Sequence, residues 1–98
     1  MSLKETINND IKTAMKAKDK ETLAVLRMIK TAIQAAEIDK KSEITPEEEL
    51  TILSREAKQR RDSIIEFEKA NRPELVEKTQ GELVIVEKYL PAQLSLEE

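Results

Sequence analysis

Thr45-Pro46-Glu47-Glu48-Glu49-Leu50-Thr51-Ile52-Leu53 opens the longest uninterrupted helical pattern in the chain. Threonine is a good N-cap, proline fits a first turn because it has no N–H to lose, and Glu48 can reach back to the Thr45 amide. Three carboxylates in that turn meet the positive end of the helix dipole, so Glu47-Glu48-Glu49 reads as a helix start rather than a magnesium site. From there Leu50, Leu53, Ala57, Ile64 and Phe67 recur at helical spacing, and nothing interrupts the pattern before Asn71.

The same grammar extends in both directions. Ser2 with Glu5 forms a capping box ahead of Leu3, Ile7, Ile11, Ala14 and Met15, predicting a first helix to about Ala17. Asp19 caps a second helix whose apolar face is Thr22, Val25, Leu26, Ile29, Ile33 and Ala36, and the short connection between the two predicts an antiparallel hairpin. The stretch from Asp39 to Glu43 is polar and separates it from the third. Downstream, Asn71-Arg72-Pro73 resets the chain, and Leu75, Val76, Thr79, Leu83, Val86 and Leu90 form a fourth stripe ending near Pro91. Ser95 and Glu98 then announce another helix start, so residues 1–91 are expected to be one helical domain, with 92–98 leading toward a further, missing C-terminal domain.

Composition agrees with this pattern. Of 98 residues, 38% are charged, 2% are aromatic and one is glycine, which favours helices over strands and tight turns. The expected fold class is all-α: a small four-helix bundle, mostly antiparallel, around one modest core. The net charge of -3 exerts no overall pull on nucleic acid or an anionic membrane. No cysteine is present and no segment approaches the run of about 20 apolar residues that a spanning helix needs, so the expectation is a cytoplasmic protein without membrane contact.

Three features carry candidate functions. In the third helix the stripe between Ala57 and Ile64 is completed by Arg60 and Arg61, two cations. Either their stems cover apolar surface while the guanidinium groups reach water or a glutamate, or Arg55, Lys58, Arg60 and Arg61 form an anion-binding face suited to phosphate. No aromatic platform accompanies them, so an RNA contact there would be to backbone and shape. Charge is also segregated: residues 1–30 hold seven lysines and arginines against four acids, and residues 73–98 hold two against six. That pattern suits solvated faces that attract one another, or a steering role. Finally, Leu83-Val84-Ile85-Val86 is apolar at consecutive positions, so Val84 and Ile85 are expected to point away from the stripe as a second apolar surface, either covered by another part of the same domain or left for a missing domain or a partner.

Most familiar active sites are excluded. There is no histidine and no cysteine, which removes the commonest general base, the commonest zinc ligands and the strongest nucleophile. A single glycine supplies neither a phosphate loop nor a nucleophile elbow. No cofactor, metal or catalytic residue is expected.

Read as wholes, three segments resemble the YqeY family in order and spacing: Leu26-Arg27-Met28-Ile29-Lys30-Thr31-Ala32-Ile33-Gln34-Ala35-Ala36-Glu37-Ile38, Ser54-Arg55-Glu56-Ala57-Lys58-Gln59-Arg60-Arg61-Asp62-Ser63, and Tyr89-Leu90-Pro91-Ala92-Gln93-Leu94-Ser95. The resemblance covers essentially the whole chain, and the arginine-rich segment is the most specific of the three. It implies an N-terminal helical domain of a two-domain protein whose C-terminal domain is similar to the tail of the GatB subunit of the tRNA-dependent amidotransferase. Glutamine-dependent carbon–nitrogen ligase chemistry is what that likeness implies for the family's systems. Because the amidotransferase-like segment is the one missing here, this chain alone is expected to be a non-catalytic accessory domain near tRNA or an amidotransferase-like assembly. The alternative is a protein-interaction domain that docks through its fourth helix and has no RNA role.

Overall fold

The computed structural model describes residues 3–90. Over that range the chain is all-α, with four helices in order: α1 (Leu3–Ala17), α2 (Lys20–Lys40), α3 (Pro46–Lys69) and α4 (Pro73–Glu87). The Ser2 and Ser95 caps and segment 92–98 lie outside the described residues. Two compact units divide the chain, 1–52 and 53–98, with α3 contributing to both.

In the first unit α1 packs on α2. Ile7 and Ala14 of α1 and Val25, Leu26, Ile29 and Ile33 of α2 are buried, as the helical spacing requires. Each fully buried aliphatic side chain of this size contributes about 1.5–3 kcal/mol. Met15, expected on the same face, is exposed, while Ala14 beside it is enclosed. The hairpin is antiparallel, for the Lys4 ammonium near the start of α1 meets both carboxylate oxygens of Glu37 near the end of α2, at 3.3 and 3.1 Å.

The turn between α1 and α2 is a Schellman motif. Lys18 has φ 57°, and the amides of Asp19 and Lys18 donate to the carbonyls of Ala14 and Met15. Asp19 then caps α2, one carboxylate oxygen accepting from the Thr22 amide and the other from its hydroxyl. α2 also ends at a positive-φ residue, Lys41 at 65°, but there the amides of Lys41 and Ser42 both donate to the one Glu37 carbonyl. The capping box at Thr45 forms as its residues dictate: the Glu48 amide donates to the Thr45 hydroxyl at 3.1 Å, and the Thr45 amide donates to the Glu48 carboxylate at 2.7 Å.

In the second unit Leu53, Ala57 and Arg60 of α3 and Thr79, Ile85 and Val86 of α4 are buried. Asn71, at φ 57°, ends α3 in a second Schellman motif, with Arg72 donating to the Phe67 carbonyl and Asn71 to that of Glu68. α4 stops at Glu87, four residues short of Pro91. A proline disfavours helical geometry at the residue before it, so the helix frays into turns across Lys88 to Leu90.

Candidate functional site

α3 is where the sequence places its cations, and the structure divides them. Arg60 occupies the stripe position between Ala57 and Ile64 and is only 6% exposed. Its Nη1 donates to the Glu56 carboxylate at 2.7 Å and to the Glu56 carbonyl at 3.2 Å, and its Nε lies 3.4 Å from Glu82 of α4. A guanidinium with five fixed donors suits this position, where it meets a carboxylate on each helix. Arg60 is therefore a buried tie between α3 and α4 and is not available to an external anion.

The other three cations stand outside. Arg55, Lys58 and Arg61 are exposed and succeed one another at three-residue intervals, which spreads them over one flank of α3 across about 9 Å of helix axis. Arg55 has no ion-pair partner among the described residues. Lys58 pairs with Asp62 one turn on, at 2.9 Å, and Arg61 meets Glu87 at 3.7 Å. Pairs this exposed contribute roughly 0–1 kcal/mol, so a phosphate can displace their carboxylates.

The apolar pair on α4 is also split. Val84 is 56% exposed, whereas Ile85 is buried at 6%. The surface expected there is thus covered at Ile85 and open at Val84. A run of four apolar residues is wider than the helix face available to it, and burial fell to Ile85 and Val86. Among exposed large apolar residues of the second unit, Val84 is joined by Ile65 on α3.

Shifted pKa values lie elsewhere, on Lys4, Glu48 and Glu49 of the first unit and on Glu74 of the second, which its hydrogen bond from Arg72 lowers. Hydrogen bonding to Glu37 raises the Lys4 amine above its ordinary value. The hydrogen bond from Lys40, then that from the Thr45 backbone, lowers Glu48 below the usual carboxylate range. Burial, followed by the charge of Glu37, raises Glu49. These groups are set by capping and helix pairing, and no three acidic residues converge as a metal site would require among the described residues.

The sequence profile of the Yqey-like protein family matches residues 4–98. The chain belongs to this family. Among its relatives, the protein named altered inheritance of mitochondria protein 41, mitochondrial, from Saccharomyces cerevisiae is 39% identical over 85 residues, covering 86% of this chain and 46% of the yeast protein. The Kluyveromyces lactis protein of the same name is 38% identical over 87 residues, covering 88% of this chain and 47% of its own length. That from Lachancea thermotolerans is 38% identical over 85 residues, covering 86% and 46%. This Yqey-like chain thus spans about half the length of the curated relatives it matches. Their names correct the cytoplasmic expectation, pointing to a mitochondrial setting instead. Lack of cysteine and of a long apolar run is equally compatible with a mitochondrial compartment, so neither feature could discriminate.

Proposed function

We propose that this Yqey-like chain is a non-catalytic binding domain that contacts the phosphate backbone of RNA, tRNA being the first candidate, as an accessory to a glutamine-dependent carbon–nitrogen ligase system. The observation that carries the reading is the disposition of the arginine-rich segment: Arg60 is spent on internal pairing, while Arg55, Lys58 and Arg61 share an exposed flank. Guanidinium groups engage two phosphate oxygens at once, and a helix flank with cations at three-residue spacing follows a backbone without reading bases.

The test is a titration of labelled tRNA with wild-type chain and with an Arg55→Glu, Arg61→Glu variant at two salt concentrations. Phosphate contacts appear as a fall in affinity with salt, about 0.7–0.9 in log–log slope for each contact. Binding by wild type with such a slope, reduced in the variant, supports the reading. Wild type that fails to bind at low salt removes it.

A second reading rests on Val84. Its exposure on α4, with Ile65 exposed on α3, suits a protein partner or a further domain of the same protein. Val84→Glu would weaken such an association and leave RNA binding intact.

A further inference from the structure

The connection between α1 and α2 carries the densest group of unpaired cations in the first unit. Lys12 and Lys16 lie in the last two turns of α1, Lys18 sits at the positive-φ position of the turn, Lys20 begins α2, and Arg27 follows two turns later. All five are exposed, and none has an ion-pair partner among the described residues. From residue 12 to residue 27 they face two carboxylates, Asp19 and Glu21, and Asp19 is held by its cap on Thr22. At the opposite end of the hairpin Lys4 and Lys40 are paired, with Glu37 and Glu48, and Lys41 alone has no ion pair among the described residues.

Helix electrostatics account for part of this arrangement. Lys16 and Lys18 stand at the negative end of the α1 dipole, where cations are stabilising. Lys20 stands at the positive end of α2, where a cation is disfavoured, and Lys12 and Arg27 are too far from either terminus to gain. Stability of the hairpin does not explain those three.

We propose that the α1–α2 tip is a second phosphate-backbone contact, with Lys12, Lys16, Lys20 and Arg27 engaging the same RNA that the α3 flank is read to bind. The inference rests on that reading for the identity of the polymer. Charge complementarity selects a polyanion, and two observations favour a nucleic-acid backbone over an anionic lipid surface. An interfacial helix needs a free apolar face, but that of α1 is committed to α2, with Ile7 and Ala14 buried. Near these cations, Met15 on α1 and Met28 beside Arg27 on α2 are the exposed large apolar side chains, two separate residues and too little to anchor in a bilayer. The tip also offers no aromatic ring on which a base could stack, so its contacts are to phosphate and independent of sequence.

The experiment uses the whole chain with a tRNA transcript and with vesicles containing phosphatidylserine. Three proteins are compared: wild type, a tip variant (Lys16→Gln, Lys20→Gln, Arg27→Gln) and the flank variant (Arg55→Glu, Arg61→Glu). All substituted side chains are exposed, and circular dichroism verifies that each protein is folded. The expected result is a tip variant that binds RNA at least tenfold more weakly at low salt, with a log–log salt slope smaller by about two to three units. A tip variant equal to wild type, with the flank variant impaired, overturns this inference and leaves the α3 reading standing. Wild type that ignores RNA overturns both, and if it binds the vesicles while the tip variant does not, the tip is a lipid contact instead.

Discussion

Arg60 on α3 and Glu82 on α4 lie 3.4 Å apart, Nε to Oε1, with the arginine side chain almost withdrawn from solvent. Glu56, one turn before Arg60, closes the other side of the guanidinium at 2.7 Å. A cation in an apolar stripe thus becomes the connector between two helices, because an acid on each helix stands within reach of it.

Removal of that connector leaves two partly shielded carboxylates without a counter-charge. Arg60→Ala is expected to cost about 3 kcal/mol, since breaking a buried pair leaves an uncompensated charge in addition to lost packing. Arg60→Met keeps the apolar stem and should cost less. Urea unfolding followed by circular dichroism measures both, and a loss below about 0.5 kcal/mol for alanine would put Arg60 in the class of surface pairs.

Much of this was legible beforehand, and the misses have physical causes. Caps are local, so Asp19, Thr45 and Glu48 announced their helices from three- and four-residue patterns and form the expected bonds. The stripe through Leu53, Ala57 and the next positions identified Arg60 and Arg61 as the interruption. Spacing alone could not say which of two adjacent cations turns inward, because that depends on Glu82 some twenty residues away. The Val84 and Ile85 pair was open for a similar reason: in a continuous apolar run, contacts elsewhere in the fold select which residue is covered. The cation excess of residues 1–30 was visible too, but which of its lysines stay unpaired is recognised only once the described carboxylates have been placed.

Two helix ends use lysine where glycine is the usual residue. Lys18 and Lys41 adopt φ of 57° and 65°, a region in which a β-carbon crowds the following carbonyl. Lys18→Gly and Lys41→Gly should each stabilise the chain by about 1 kcal/mol, while Asn71→Gly should gain less because asparagine tolerates that conformation. Thermal melts of the three variants measure the ranking. An equal gain at all three positions would refute the side-chain argument.

The Thr45 box joins a hydroxyl and a carboxylate at the start of α3. Thr45→Ala should cost about 1 kcal/mol by orphaning the Glu48 amide. Glu48 adds a pH dependence. Its folded pKa is lowered, first by Lys40 and then by the Thr45 backbone, so its contribution is present above the ordinary carboxylate value and is lost as pH falls through the folded one. Glu48→Gln should therefore destabilise at neutral pH and become nearly silent in acid. Denaturant titrations at pH 7 and about pH 3 measure it.

Glu49, the next residue, should behave in the opposite sense. Burial raises its pKa first, and the charge of Glu37 adds to that, with Lys4 pulling weakly the other way. A carboxyl group whose folded pKa is raised favours the fold when protonated; that advantage is present below the unfolded value and disappears as pH rises through the folded one. At neutral pH the ionised Glu49 is consequently a small burden on the native state, and a neutral amide of the same shape relieves it. Glu49→Gln should raise the melting temperature at pH 7 and change it little at about pH 3, where the wild-type carboxyl is already protonated. The double variant Glu37→Gln, Glu49→Gln should show less than the sum of the two single effects, since Glu37 supplies part of the repulsion. An equal gain at both pH values would assign the effect to packing and would remove Glu37 as its cause.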